Sequence, residues 1–423
     1  MRHTFRSLRI RNYRLFATGQ LISLIGSWMQ TVGQDWLVIE QGGRGTALGL
    51  VTALQFLPIL LIGMYGGMLA DRYPKRRILL ITQVAYAVLA GGMFVLIATD
   101  VVQLWMVFVF AGIFGVVTAI DMPARQSFVV EMVGSDDLVN AVSLNSATFN
   151  SARLIGPAVA GVMIANAGVA PVFLINAMSY VAVIAGLLWM RTEELHPSRR
   201  LERGKGQLRE AVRYVRVRPN LLLPVVLVGI IGMFGFNFQI TLALYAKEVY
   251  ERGAGTYGAL SSLLAAGSLC GALLAARRMR PRRRVLLLGA VSFGALEMIA
   301  GFAPNLLTFS ILLVPTGIAM ITFASTANAT VQLGAGEEVR GRVMALYSLV
   351  FLGGTPIGAP IIGWFAEELG PRSSLIIGGA VSVLATLAAA AILLHVDRQA
   401  VRHPREFVRS LRSGVTPMSD ALR

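Results

Sequence analysis

The chain has 423 residues, 55% of them hydrophobic and 14% charged, with a mean hydropathy of +0.67. That balance excludes a soluble globular fold, and the length excludes a single-anchor protein. The net charge of +16 would suit nucleic acid, but nearly all the cations fall in polar connections between long apolar runs, so no nucleic-acid partner is expected.

A hydrocarbon layer about 30 Å thick needs roughly 20 apolar residues per helix, and twelve such runs are predicted. They lie at 15–39, 47–70, 78–98, 102–120, 138–165, 170–190, 221–246, 257–276, 285–303, 306–327, 343–365 and 374–394. Each is about twice the length of a barrel strand, so helices are expected, and the 44 glycines predict close packing between them. The fold class is an all-α membrane protein of twelve transmembrane helices in two six-helix bundles. The expected divisions are a first bundle over 1–190, a cytoplasmic linker over 191–219, a second bundle over 220–395 and a basic cytoplasmic tail over 396–423.

At the N-terminus, Arg2, Arg6, Arg9, Arg11 and Arg14 precede an apolar run of about 25 residues without a small-residue cleavage site, so this run is expected to stay as the first helix. In that helix Ser23, Ser27, Gln30 and Gln34 recur at helical spacing and are predicted to line an aqueous cavity. Asp35 lies beside the stripe, in the outer third of the helix. Either it carries substrate or proton chemistry, or it is a solvated rim charge. Trp28 and Trp36, with Phe234 and Phe236 of the seventh run, could flank a planar substrate, although Trp36 also suits an interfacial anchor.

Between the second and third runs stand Gly67, Asp71, Arg72, Lys75, Arg76 and Arg77. A carboxylate is unfavourable at its own helix C-terminus, so Asp71 calls for an external partner. The fifth run carries Arg153 near its middle, where a cation costs about 2.5–3.5 kcal/mol on insertion scales. Ser146, Asn150, Arg153 and Pro157 share one face of that helix. Arg153 is read either as an anion anchor for substrate or as half of an ion pair with Asp35 or Glu297. Gly156, Pro157 and Gly161 form a helix-packing group, in which Pro frees a carbonyl and Gly admits a neighbouring helix.

The connection 191–220 splits the runs six and six. Within it Leu208, Val212, Tyr214 and Val215 predict a short amphipathic helix on the membrane surface. In the second half, Asn237 of the seventh run is assigned to the cavity by symmetry with Gln30 and Gln34. Glu297 of the ninth run joins Asp35 as a candidate for proton coupling, which needs a buried carboxylate able to load and release a proton.

Arg44, Lys247, Arg252 and Arg372 lie in alternate connections and Arg153 within a run; the rest of the 38 cations lie in the connections of the opposite set. By the positive-inside rule both termini are cytoplasmic, and the basic loops face anionic lipid headgroups. The halves also echo each other. Lys75-Arg76-Arg77 matches Arg282-Arg283-Arg284, and Gly156-Pro157 with Gly161 matches Gly358-Ala359-Pro360 with Gly363. Parallel repeats of this kind place a substrate site near the midplane.

Twelve runs in two halves, with Gly67, Asp71, Arg72, Lys75 and Arg76 at their spacing, resemble the major facilitator superfamily, with Pro74 where the family has Gly. Asp121-Met122-Pro123-Ala124-Arg125-Gln126, the stretch Asn150-Ser151-Ala152-Arg153-Leu154-Ile155-Gly156-Pro157 and Arg340-Gly341-Arg342-Val343-Met344-Ala345 resemble its enterobactin-exporter-like branch, also called the transmembrane secretion effector group. The resemblance implies a conformational latch of Gly67, Asp71, Arg72, Lys75 and Asp121. In it Asp71 meets the eleventh helix near Gly341 and Val343, and Lys75 pairs with Asp121. It further implies a proton-coupled exporter of an amphipathic small molecule such as a siderophore or drug, acting as a monomer in the bacterial inner membrane. Uptake of an organic solute, or a non-transporting receptor or scaffold, are the alternatives.

An enzyme is not expected: His3, His196, His395 and His403 bring no nucleophile and base together, and Lys75, Lys205 and Lys247 lack a phosphate-loop context. No cofactor or metal is expected either.

Overall fold

The computed structural model describes residues 5–196, 207–276 and 281–402, with side chains for 5–196, 208–276 and 281–393. Every regular element among these residues is helical, as hydrocarbon requires of a backbone that must satisfy its own hydrogen bonds. The long helices are α1 (Arg11–Glu40), α2 (Gly45–Arg72), α3 (Lys75–Ala98), α4 (Leu104–Val133), α5 (Leu138–Ala167) and α6 (Ala170–Leu188). After the short α7 (Gln207–Arg216) come α8 (Pro219–Phe234), α9 (Phe238–Leu244), α10 (Ala254–Ala276), α11 (Arg283–Gly301), α12 (Leu306–Gly334), α13 (Arg340–Glu368) and α14 (Pro371–Arg402). The basic tail expected at the end of the chain lies, from residue 403 on, outside the described residues.

Ten segments are long and apolar enough to cross a membrane, with α8, α9 and the π-turn Tyr245–Val249 together making one of them. The two expected spans not among the ten are α1 and α5. Each has 30 residues, long enough to span, but α1 carries Gln20, Gln30, Gln34 and Asp35, and α5 carries Asn145, Asn150 and Arg153. These two helices hold the candidate residues Gln30, Gln34, Asp35, Asn150 and Arg153.

Glycine ends two of the long helices, Gly134 after α4 (φ 69°) and Gly168 after α5 (φ 76°), where the left-handed backbone disfavours any side chain. Asn305 starts α12 by accepting a hydrogen bond from the Thr308 amide at 2.9 Å. The seventh span is interrupted between α8 and α9 at Gly235, Phe236 and Asn237.

The helices gather into two compact units. The first comprises Met1–Glu202, Phe238–Ala266 and Ala359–Arg372; the second comprises Arg203–Asn237, Gly267–Gly358 and Ser373–Arg423. One end of the first unit is closed by an apolar cluster that includes Tyr13, Phe16, Leu79, Phe128, Met132 and Leu187, with Phe16 edge-on to Phe128 at 6.0 Å. Side chains tie the ends of its helices to backbone: Tyr13 Oη donates to the Ala141 carbonyl at 2.8 Å, and Asn12 bonds both the amide and the carbonyl of Arg191. In the second unit Phe236, at the helix break, packs against Phe293, Phe323 and Phe351.

Candidate functional site

Ser23, Gln30, Gln34 and Asp35 of α1 are buried, and Ser27 is half-buried. Gln30 Oε1 accepts from Asn176 Nδ2 of α6 at 2.7 Å, and Gln34 Oε1 accepts from Gln55 Nε2 of α2 at 3.1 Å. Asn176 also bonds Tyr180 and Ser179, and Tyr180 Oη lies 3.3 Å from Ser27 Oγ. This corrects the expectation that Gln30 and Gln34 line water. Each amide finds its partner across a helix interface, the usual fate of a polar group inside a bundle.

Asp35 is also inside rather than at a solvated rim. Its carboxylate is 4% exposed, and Oδ2 accepts from Tyr257 Oη of α10 at 2.6 Å, with Tyr257 itself 1% exposed. A charge-assisted bond of this length is among the stronger hydrogen bonds a protein makes. Tyr257 escaped the sequence reading because a tyrosine opening an apolar run looks like an interfacial anchor; only the packing of α10 on α1 gives it a carboxylate.

Helix α5 meets α1 and α10 through its small residues. A side chain on Gly156 would strike Trp28 Cβ at 2.5 Å. Gly161 faces the backbone of Ala254, Gly255 and Gly258, and Gly258 abuts the carbonyl of Pro157. Ser262 of α10 donates to the Leu154 carbonyl at 2.9 Å, so the proline-bearing turn is held by a neighbour as well as by its own helix.

Beside this contact stands Arg153, half-buried, its guanidinium carbon 5.7 Å from the centre of the Trp28 ring, while Trp28 meets Phe149 edge-on at 5.8 Å. Among the described residues no acid pairs with Arg153, which corrects the reading that placed Asp35 or Glu297 against it: Asp35 is taken by Tyr257. A cation–π contact contributes about 0.5–1 kcal/mol at a partly exposed site, less than the roughly 2.5–3.5 kcal/mol that a cation costs on a membrane-spanning helix. Asn145, Ser146 and Phe149 on the open side of α5 are exposed. Ser146 and Asn150 bond back to the carbonyls of Val142 and Ser146.

The charge cluster after α2 forms contacts the motif did not foretell. Lys75 Nζ lies 2.6 Å from Glu131 Oε1, with side chains 9% and 15% exposed. Asp121 binds Arg125 of its own helix at 2.5 Å and accepts from Thr82 and Gln83 at 2.6 and 3.1 Å. The expected Lys75–Asp121 pair is therefore replaced, because Lys75 opens α3 and faces the last turns of α4, and Asp121 lies ten residues back, about 15 Å along the helix. Arg76 donates to the carbonyls of Leu187 and Leu188, satisfying the end of α6. Gly67 is buried next to Gly66, which abuts the Ala119 carbonyl of α4, and Asp71 and Arg72 are exposed at the end of α2. Gly341 and Val343, expected near Asp71, belong to the second unit.

In the second unit Glu297 is 2% exposed on α11, and its Oε2 has no hydrogen-bond partner among the described residues. It is wedged between Gly235, at the break of the seventh span, and Gly378 of α14; a Cβ on either would come within 3.1 Å of the carboxylate. Asn237 is buried rather than cavity-lining, its Nδ2 donating to the Met233 carbonyl at 2.7 Å and so bridging the break. Among the described residues no three His, Cys, Asp or Glu side chains gather to hold a metal ion.

Solved structures with this arrangement of helices are transporters. The chain superposes on a bacterial homolog to the human lysosomal transporter Spinster, in an inward-facing and unoccupied conformation, with a TM-score of 0.70. Identity is 16%, covering 90% of this chain and 95% of that one. The nucleoside transporter NupG gives a TM-score of 0.69 at 13% identity, covering 93% and 99%. At such identities the likeness defines the fold alone: a multi-pass membrane protein of major facilitator architecture. Residues 2–410 match the family described as transmembrane secretion effector, and the chain belongs to that family. Its relatives include a staphyloferrin A transporter of Staphylococcus aureus, 22% identical over 88% of this chain and 94% of that protein. The multidrug efflux pump Tap of Mycolicibacterium fortuitum is 25% identical over 83% and 88%, and macrolide efflux protein A of Streptococcus pyogenes is 24% identical over 89% and 94%. The protein is a transporter, not an enzyme.

Proposed function

We propose that the protein exports an amphipathic small molecule from the cell by alternating access, driven by protons moving inward. On this reading all twelve long segments cross the bacterial inner membrane, with both termini cytoplasmic, and the chain acts as a monomer. Export is supported by the relatives, whose names specify staphyloferrin A transport, multidrug efflux and macrolide efflux.

The observation that carries the coupling is Asp35, a carboxylate buried in a spanning helix with one phenolic donor, Tyr257, as its hydrogen-bond partner. A proton can replace that donor's role in stabilising the group, and the bond must change whenever the proton is gained or lost. Glu297 is the second carrier, on the strength of its Oε2, which has no hydrogen-bond partner among the described residues. Asp71, with Gly67 and Arg72, acts as the latch, and Lys75 serves it by fixing the start of α3 to Glu131.

The test is accumulation of labelled siderophores and drugs in cells with and without the protein, each with and without a protonophore. Lower accumulation that the protonophore abolishes is expected, and Asp35→Asn is expected to abolish it too. Transport by both Asp35→Asn and Glu297→Gln with unchanged dependence on the pH gradient would remove these residues from the mechanism. Full transport by Asp71→Asn at normal expression would remove the latch.

A further inference from the structure

Resting on the exporter reading, we propose that the transported molecule is an organic anion with a flat ring, whose acidic group binds Arg153 while the ring lies against Trp28 and Phe149. Three observations combine. The guanidinium is half-buried in a membrane-crossing helix with no acid paired to it among the described residues. The acid best placed in sequence to neutralise it, Asp35, is engaged by Tyr257 instead. The surrounding face of α5 exposes Asn145 and Ser146 along with Phe149, and polar side chains left open on a spanning helix belong to a water-filled path rather than to acyl chains, so a solute can reach them.

The geometry also specifies what kind of anion fits. A guanidinium offers a planar fork of donors suited to a carboxylate or a similar two-oxygen acid. Trp28 lies beside it, edge-on to Phe149, so the acid and an aromatic surface are presented together. Helix α5 itself contains no Asp or Glu, so nothing on that helix cancels the positive field. A compact inorganic anion would answer the charge but leave the aromatic pair unused.

The test uses two probes of one shape, 2-naphthoate and 2-naphthamide, bound to the purified full chain in neutral detergent at low ionic strength, in a zwitterionic buffer free of other carboxylates. Wild-type protein is expected to bind the acid at least about tenfold more tightly than the amide. Arg153→Gln is expected to erase that preference, Arg153→Lys to keep only part of it, and Trp28→Leu to weaken both probes alike. A wild-type protein with no preference for the acid, or an Arg153→Gln variant that retains it, overturns the proposal. Flux of naphthoate and of the lipophilic cation rhodamine 6G in proteoliposomes separates this inference from the exporter reading. Flux of rhodamine without any naphthoate preference sinks the anion site alone. A naphthoate preference without flux of either compound under any ion gradient sinks the exporter and leaves the site.

Discussion

The bond between Asp35 and Tyr257 makes a quantitative test of how α1 and α10 are held together within the first unit. Tyr257→Phe removes one hydroxyl and leaves a carboxylate that is 4% exposed without its donor at 2.6 Å. Hydrogen bonds to charged groups contribute about 1.5–3 kcal/mol, and a buried polar group left without a partner costs about the same. Tyr257→Phe should therefore destabilise the protein by about 2 kcal/mol. Asp35→Asn keeps an acceptor for the phenol but loses the charge, and should cost less. The double variant should cost less than the two single changes summed, because a stranded neutral amide is less costly than a stranded carboxylate, giving a coupling energy of about 1 kcal/mol in the cycle. The measurement is unfolding of the full chain in dodecyl maltoside titrated with SDS, followed by circular dichroism, for the wild type and the three variants. Additivity to within about 0.5 kcal/mol would refute the reasoning and return Asp35 to the status of a rim charge.

Glu131→Gln should cost about 1.5–3 kcal/mol, because it removes the carboxylate from a charge-assisted contact with the mostly buried Lys75 ammonium; replacing Lys75 and Glu131 together by Met and Leu should cost less than the two single replacements summed, in the same titration. Gly258→Ala should cost about 1–3 kcal/mol, since its Cβ would meet the Pro157 carbonyl and approach the Gly161 backbone at 2.9 Å, whereas Gly253→Ala, with open space around it, should leave the unfolding midpoint unchanged. Arg342→Ala, which removes the ion pair to Glu210 of α7, should cost under about 1 kcal/mol because the two side chains are 34% and 54% exposed; a larger loss would show that α7 is held by more than its surface charges.

Length, hydropathy and charge placement were enough to determine a helical, multi-pass membrane protein, because solvation by hydrocarbon acts on each segment independently of what it packs against. The same local logic located Arg153, Asp35 and Glu297, since a charge inside an apolar run is conspicuous without knowledge of its neighbours. Partners were another matter. Lys75 faces Glu131 and not Asp121, Asp35 faces a tyrosine 222 residues away, and Gln30 and Gln34 are spent on Asn176 and Gln55. Each outcome depends on the height at which two helices cross and on which of their faces meet. Those quantities are fixed by the fit of glycines such as Gly156, Gly161 and Gly258 against neighbouring backbone, which periodicity along one segment does not encode. The sequence by itself therefore determined which groups are costly to bury; the tertiary structure alone decided that Asp35 is already compensated by a neighbouring side chain, and that no acid among the described residues pairs with Arg153.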